Sequence, residues 1–93
     1  MRKFDFTITS KIGMHARPAA MVARGAEKYK SKISIAHEGV TLNGKSIMGL
    51  IALKARFGDV ITITIDGPDE EEAETGMKQV LEDILGEKAN ENQ

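Results

Sequence analysis

The chain has 93 residues, 41% of them hydrophobic and 29% charged, with a formal net charge of -1 and no cysteine. Such a chain is one soluble globular domain with a modest core, too short for two domains and too apolar to be disordered. The near-balanced charge excludes a general attraction to nucleic acid or membrane, and the missing cysteines exclude disulfides, thiolate catalysis and cysteine-ligated zinc.

No apolar run approaches the ~20 residues that a bilayer span needs. The opening "MRKFDFTIT" alternates instead of forming the apolar block of a signal peptide, so the expected location is the cytoplasm. In that stretch Phe4, Phe6 and Ile8 alternate with Asp5, Thr7 and Thr9, which predicts a half-buried strand. After "SKIGMHAR" the period becomes helical: Ala19, Val22, Ala23 and Ala26 form a stripe, with Pro18 at an early position that tolerates it. Gly25 inside this helix costs about 1 kcal/mol relative to alanine and suggests close packing against the sheet.

"KISIAHEGVTL" reads as two short strands joined by a tight turn at Glu38-Gly39. "SIMGLIALKA" is a short apolar helix with Ser46 as its N-cap. "DVITITID" is a strand with Ile61, Ile63 and Ile65 on one face. The last helix lies in "GPDEEEAETGMKQVLEDILG", capped by Asp69 with Glu72 in a capping-box position. Its apolar stripe is Ala73, Met77, Val80, Leu81 and Ile84, and Gly86 stops it. The expected domain is therefore residues 1–86, and 87–93, "EKANENQ", form a frayed tail. The order β-α-β-β-α-β-α suggests an α+β fold, an antiparallel sheet with helices on one side, and leaves the strand order open.

His15 stands between the first strand and the first helix, in "IGMHARPAA". A helix N-terminus offers unpaired N–H groups and a partial positive charge, which suit a phosphoryl group. Arg17 can add a bidentate contact to phosphate oxygens, and a neutral imidazole can serve as the nucleophile. His-x-Arg by itself equally describes a surface or capping histidine beside an ordinary arginine.

"GMHARPAA", "KSIMGLIAL" and "GPDEEEA", in this order and spacing, closely resemble the HPr family of the bacterial phosphotransferase system. The resemblance covers the chain from Phe4 to Leu85. It implies an open-faced β-sandwich, a four-stranded antiparallel sheet with three helices on one face, and a monomer. It also implies that His15 accepts a phosphoryl group on Nδ1 from Enzyme I, which takes it from phosphoenolpyruvate, and hands it to IIA proteins. Arg17 would then face the phosphate. The carrier itself needs no cofactor or metal; magnesium belongs to Enzyme I. The family often carries a small polar residue before the glycine, and Ile12 departs from that, removing a hydroxyl that could touch phosphate.

Ser46 is by residue type an N-cap, and by resemblance also the target of HPr kinase/phosphorylase, through which a catabolite-control regulator can be engaged. Arg17, Met21, Arg24 and Lys28 follow at steps of four, three and four, a basic face with an apolar spot. Beside it the resemblance places Ile47, Met48 and Ile51 as a partner-binding surface, with Ile51 as readily a core residue as a contact. The run Asp69 to Glu72 complements the helix dipole rather than binding metal. His37 has no carboxylate pattern or second histidine at ligand spacing and receives no function. Two other classes compete with the carrier. One is a regulatory, nitrogen-type or catabolite-control relative acting through protein contacts. The other is a small nucleic-acid binder, which lacks the basic charge and stacking aromatics it would need.

Overall fold

In a computed structural model, residues 1–90 are described. The strands are β1 (Arg2–Thr7), β2 (Lys32–His37), β3 (Val40–Asn43) and β4 (Val60–Asp66), and the helices α1 (Ala16–Glu27), α2 (Ile47–Ala52), α3 (Glu70–Leu85) and α4 (Glu87–Asn90). The sheet order is β1-β4-β2-β3, with every neighbouring pair antiparallel. This is the expected open-faced sandwich: four strands, with α1, α2 and α3 covering one face.

Period-two alternation explains which face is covered. Ile33 and Ile35 of β2 and Ile61, Ile63 and Ile65 of β4 are fully buried, while Ser34, Thr62 and Thr64 on the opposite face stay half-buried. On that open face Thr62 Oγ1 donates to Asp5 Oδ1 at 2.8 Å. Ala19, Val22, Ala23 and Ala26 of α1 and Ala73, Met77, Leu81 and Leu85 of α3 complete the core, with Val80 and Ile84 packed at its margin. Each fully buried isoleucine or leucine contributes about 1.5–3 kcal/mol by leaving water. The β2–β3 turn has φ of 48° at Glu38 and 83° at Gly39, the two left-handed positions that a two-residue hairpin requires.

Three details depart from the sequence reading. Gly25 packs against a helix rather than the sheet: a Cβ there would meet Val80 Cγ2 of α3 at 2.9 Å. Asp69 stands at the N-cap position of α3 but makes no capping bond. Its carboxylate accepts instead from Lys30 N–H at 2.8 Å, Ser31 N–H at 2.9 Å and the Ser31 hydroxyl. Ser31 is buried, so its polar groups need a partner, and that requirement outweighs the cap. The Ser31 hydroxyl bond, followed by the Lys30 amide, holds the Asp69 carboxyl below its ordinary pKa. The reach-back bond comes not from Glu72 but from Glu70, and it is Glu70 Oε1 that accepts from Gly67 N–H at 3.2 Å.

The third departure concerns the tail. The first four of the seven residues expected to be frayed form α4, and Asn90 bonds to the loop after β1. The other three, 91–93, lie outside the described residues.

Candidate functional site

His15 is the N-cap residue of α1, with an extended backbone (φ -99°, ψ -177°) and an exposed side chain that makes no capping bond. The first bond of the helix runs from Ala19 N–H to His15 O at 2.8 Å. The N–H groups of Ala16 and Arg17 precede that bond, and Pro18 has none, so the helix mouth opens beside the imidazole with unspent donors. The ring is free to receive a group there.

The backbone that presents it is held from two sides. Leu85 O at the end of α3 accepts from Thr9 N–H and Ser10 N–H, both at 2.9 Å. Met14 N–H donates to Ala55 O at 2.9 Å. Between them Gly13 has φ of 74°, and a Cβ there would lie 3.1 Å from Arg56 Cα. The loop thus crosses close over the α2–β4 segment, a path open to glycine at low cost.

That crossing brings in cations that sequence reasoning missed. Lys54 and Arg56 line a depression together with His15, Ala16 and Ile51. Both side chains are exposed. Arg17 lines the other depression that contains His15, so three cationic residues border the surface around it, a setting that favours a negative substituent on the ring. The signal was present as "LKAR", but nothing local places it beside residue 15. Arg17, Arg24 and Lys28 form no ion pair among the described residues, so their charge is available to a partner.

His37 orders this same segment. It is 8% exposed; its Nδ1 lies 2.8 Å from Leu53 O and its Nε2 2.9 Å from Asp59 Oδ2. The same Asp59 oxygen accepts from Arg56 N–H at 2.9 Å. The Arg56 amide first, and His37 with it, hold the Asp59 carboxyl below its ordinary pKa. Carboxylates therefore do neighbour His37: Glu38 Oε1 is 3.5 Å from Nε2, and the three groups form the one His/acid cluster found among the described residues. The ring's two nitrogens are occupied in tying β2, α2 and the Arg56 turn together.

On the rest of the expected docking face, Met21 shares a second depression with His15, Ile12 and Arg17, and Arg24 and Lys28 border Met21 in turn. Ile51 is half-buried, packs on the core and also lines the depression that contains His15. Ile47 and Met48 are exposed on α2, Met48 by 77%, but line neither depression that contains His15. Ser46 caps α2, its Oγ accepting from Gly49 N–H at 3.0 Å.

The family profile described as the PTS HPr component phosphorylation site matches residues 2–83. The chain is 47% identical over 83 residues to the phosphocarrier protein HPr of Mycoplasma genitalium, which covers 88% of this chain and 94% of that one. A solved mycoplasma histidine-containing phosphocarrier protein superposes with a TM-score of 0.86 at 41% identity, covering 90% of this chain and 97% of its own. The solution structure of Crh, the Bacillus subtilis catabolite repression HPr, does so with a TM-score of 0.64 at 30% identity, covering 92% and 99%.

Proposed function

The chain belongs to the HPr family of the phosphotransferase system, and on that premise we propose that His15 is its phosphoryl acceptor, loaded by Enzyme I and discharged to IIA proteins in the cytoplasm. The observation that carries this reading is the unpartnered imidazole at the mouth of α1, with Arg17, Lys54 and Arg56 lining the depressions on which it opens. In the transfer, the Nδ1 lone pair of the neutral ring attacks phosphorus. The N–P bond forms as the bond from phosphorus to the donor breaks, and the donor keeps that electron pair. The ring proton stays on Nε2 throughout, so no general base is required. The helix N–H groups and the cations stabilise the transferred charge. In the onward step a nucleophile of the IIA acceptor attacks phosphorus, and the N–P bond breaks with its electron pair left on Nδ1.

The test is incubation with phosphoenolpyruvate, magnesium and Enzyme I, followed by intact mass. One added phosphoryl group, labile in acid and stable in base, is the expected result. An unchanged mass with an active Enzyme I rejects the carrier role and favours the regulatory relative, the reading to which the likeness to catabolite repression HPr lends support.

Arg17→Ala should fold as well as the parent, since the side chain is exposed. Losing one charge-assisted contact of about 1.5–3 kcal/mol should slow transfer roughly 10- to 150-fold. Steady-state transfer at the parental rate would make Arg17 an ordinary surface charge.

Ser46 is the proposed regulatory site, modified by a kinase of the HPr kinase/phosphorylase type. A phosphoryl group on Oγ adds a charge of about -1.5 to -2 at the N-terminus of α2, where the Gly49 N–H and the helix dipole favour it. The fold should therefore hold. Docking should suffer, because the charge adjoins exposed Ile47 and Met48 and offsets the cations that draw a partner in. We expect affinity for Enzyme I to fall about tenfold at low salt and less at high salt, with the melting temperature unchanged or raised. Equal affinity of the unmodified and phosphorylated proteins would refute the docking effect; a large drop in melting temperature would refute the capping argument.

A further inference from the structure

The short helix α4 lies beyond the residues that the family profile matches, and nothing in the carrier reading calls for it. Its last described residue nevertheless makes two hydrogen bonds to the loop that leads to His15. Asn90 Oδ1 accepts from Lys11 N–H at 3.0 Å, and Asn90 Nδ2 donates to Thr9 O at 2.9 Å. The orientation of the carboxamide is unambiguous, because an amide N–H can only donate and a carbonyl can only accept. One side chain thereby pairs with the backbone on both sides of Ser10, as a neighbouring strand would. Ala89 of the same helix borders the depression that also contains His15, Ile12 and Arg17.

We propose that Asn90 is a positioning residue for His15: its carboxamide braces the Thr9–Lys11 backbone and so fixes where the loop carries the imidazole. The inference rests on the carrier reading of His15. Without the brace, Ile8 keeps its bonds to Asp59 O and Gly58 N–H, but the Thr9–Lys11 backbone beyond it keeps only those from Thr9 N–H and Ser10 N–H to Leu85 O. The loop's far end, at Met14, keeps the bond to Ala55. Ser10 and Met14 are buried at the two anchors, but Lys11 and Ile12 between them are exposed, so it is this middle part that the brace restrains. Phosphoryl transfer requires the attacking nitrogen in line with the breaking bond, and small misplacements of a reacting group lower rates steeply. Asn90 is half-buried at the edge of the domain, so its loss should affect alignment more than global stability.

The experiment is single-turnover transfer from phosphorylated Enzyme I to the full chain, to Asn90→Ala and to Asn90→Asp, over a range of carrier concentrations. Asp keeps an acceptor for Lys11 N–H but opposes a carboxylate oxygen to Thr9 O. Both variants should lower the saturating rate roughly 10-fold, with the half-saturating concentration within about twofold of the parent. Hydrogen exchange at the Lys11 amide should accelerate while the melting temperature stays within a few degrees. A saturating rate within about twofold of the parent overturns the proposal and leaves the carrier reading intact, as does a rise in the half-saturating concentration alone, which would make α4 a docking surface. Unaltered exchange at Lys11 also overturns it. A parent chain that gains no phosphoryl mass overturns both. If Asn90→Ala fails to fold, Asn90→Asp is judged by the same criteria.

Discussion

His15→Ala should gain no phosphoryl group from phosphoenolpyruvate and Enzyme I, while melting at the parental temperature. The stability half of this result follows from the N-cap. His15 makes no side-chain bond there, and its ring is exposed, so truncation removes neither a capping bond nor buried area. The labelling half follows from the other histidine. His37 is buried, with Nδ1 against Leu53 O and Nε2 against Asp59, so neither nitrogen is free to attack phosphorus. Intact mass of parent, His15→Ala and His37→Gln under the same conditions provides the check. Label retained on His15→Ala would remove His15 from its proposed role, and label lost only from His37→Gln would transfer that role to His37.

Ile63→Ala should be the contrasting case, severe for the fold and silent for the chemistry. Ile63 is fully buried on β4, the strand held between β1 and β2, with Phe4 and Ile35 as its cross-strand neighbours. Removing its branched side chain forfeits the transfer energy of three carbons and opens a cavity that strands fixed on both sides collapse around poorly. Such changes cost 2–5 kcal/mol; about 3 kcal/mol would lower the melting temperature by roughly 12–24 °C in a domain of this size. Val60→Ala, on the same strand but 50% exposed, should shift it by only a few degrees. Thermal unfolding of the two variants measures the difference, and phosphorylation assayed at low temperature, where Ile63→Ala remains folded, should match the parent. Similar melting of both variants would mean that the face carrying Ile61, Ile63 and Ile65 is not the core.

The contrast between these residues also marks what can be read from a chain and what cannot. The strand face of β4, the alanine-valine stripe of α1 and the Ser46 cap depend on residues a few positions apart, where backbone geometry alone dictates which side chains share a face. His15 at a helix mouth is local in the same sense, and so is Arg17 two residues on. The groups that complete the site are not local. Lys54 and Arg56 stand beside His15 because the loop at Gly13 crosses the α2–β4 segment, and that segment is shaped by Asp59 bonding to His37, 22 residues away. Asp69 reads as a helix cap from its neighbours, yet its carboxylate turns to Ser31, 38 residues distant, because a buried hydroxyl and amide would otherwise lack partners. Asn90 reads as tail and instead bonds to Lys11, 79 residues before it. By itself, then, the sequence determined every element but α4, their buried faces and the histidine at the mouth of α1, since these follow from periodicity and helix-end chemistry. The tertiary structure alone decided the order of the strands and which distant polar groups meet. Those pairings depend on closing long loops and satisfying every buried donor at once, and no short window of residues contains that information.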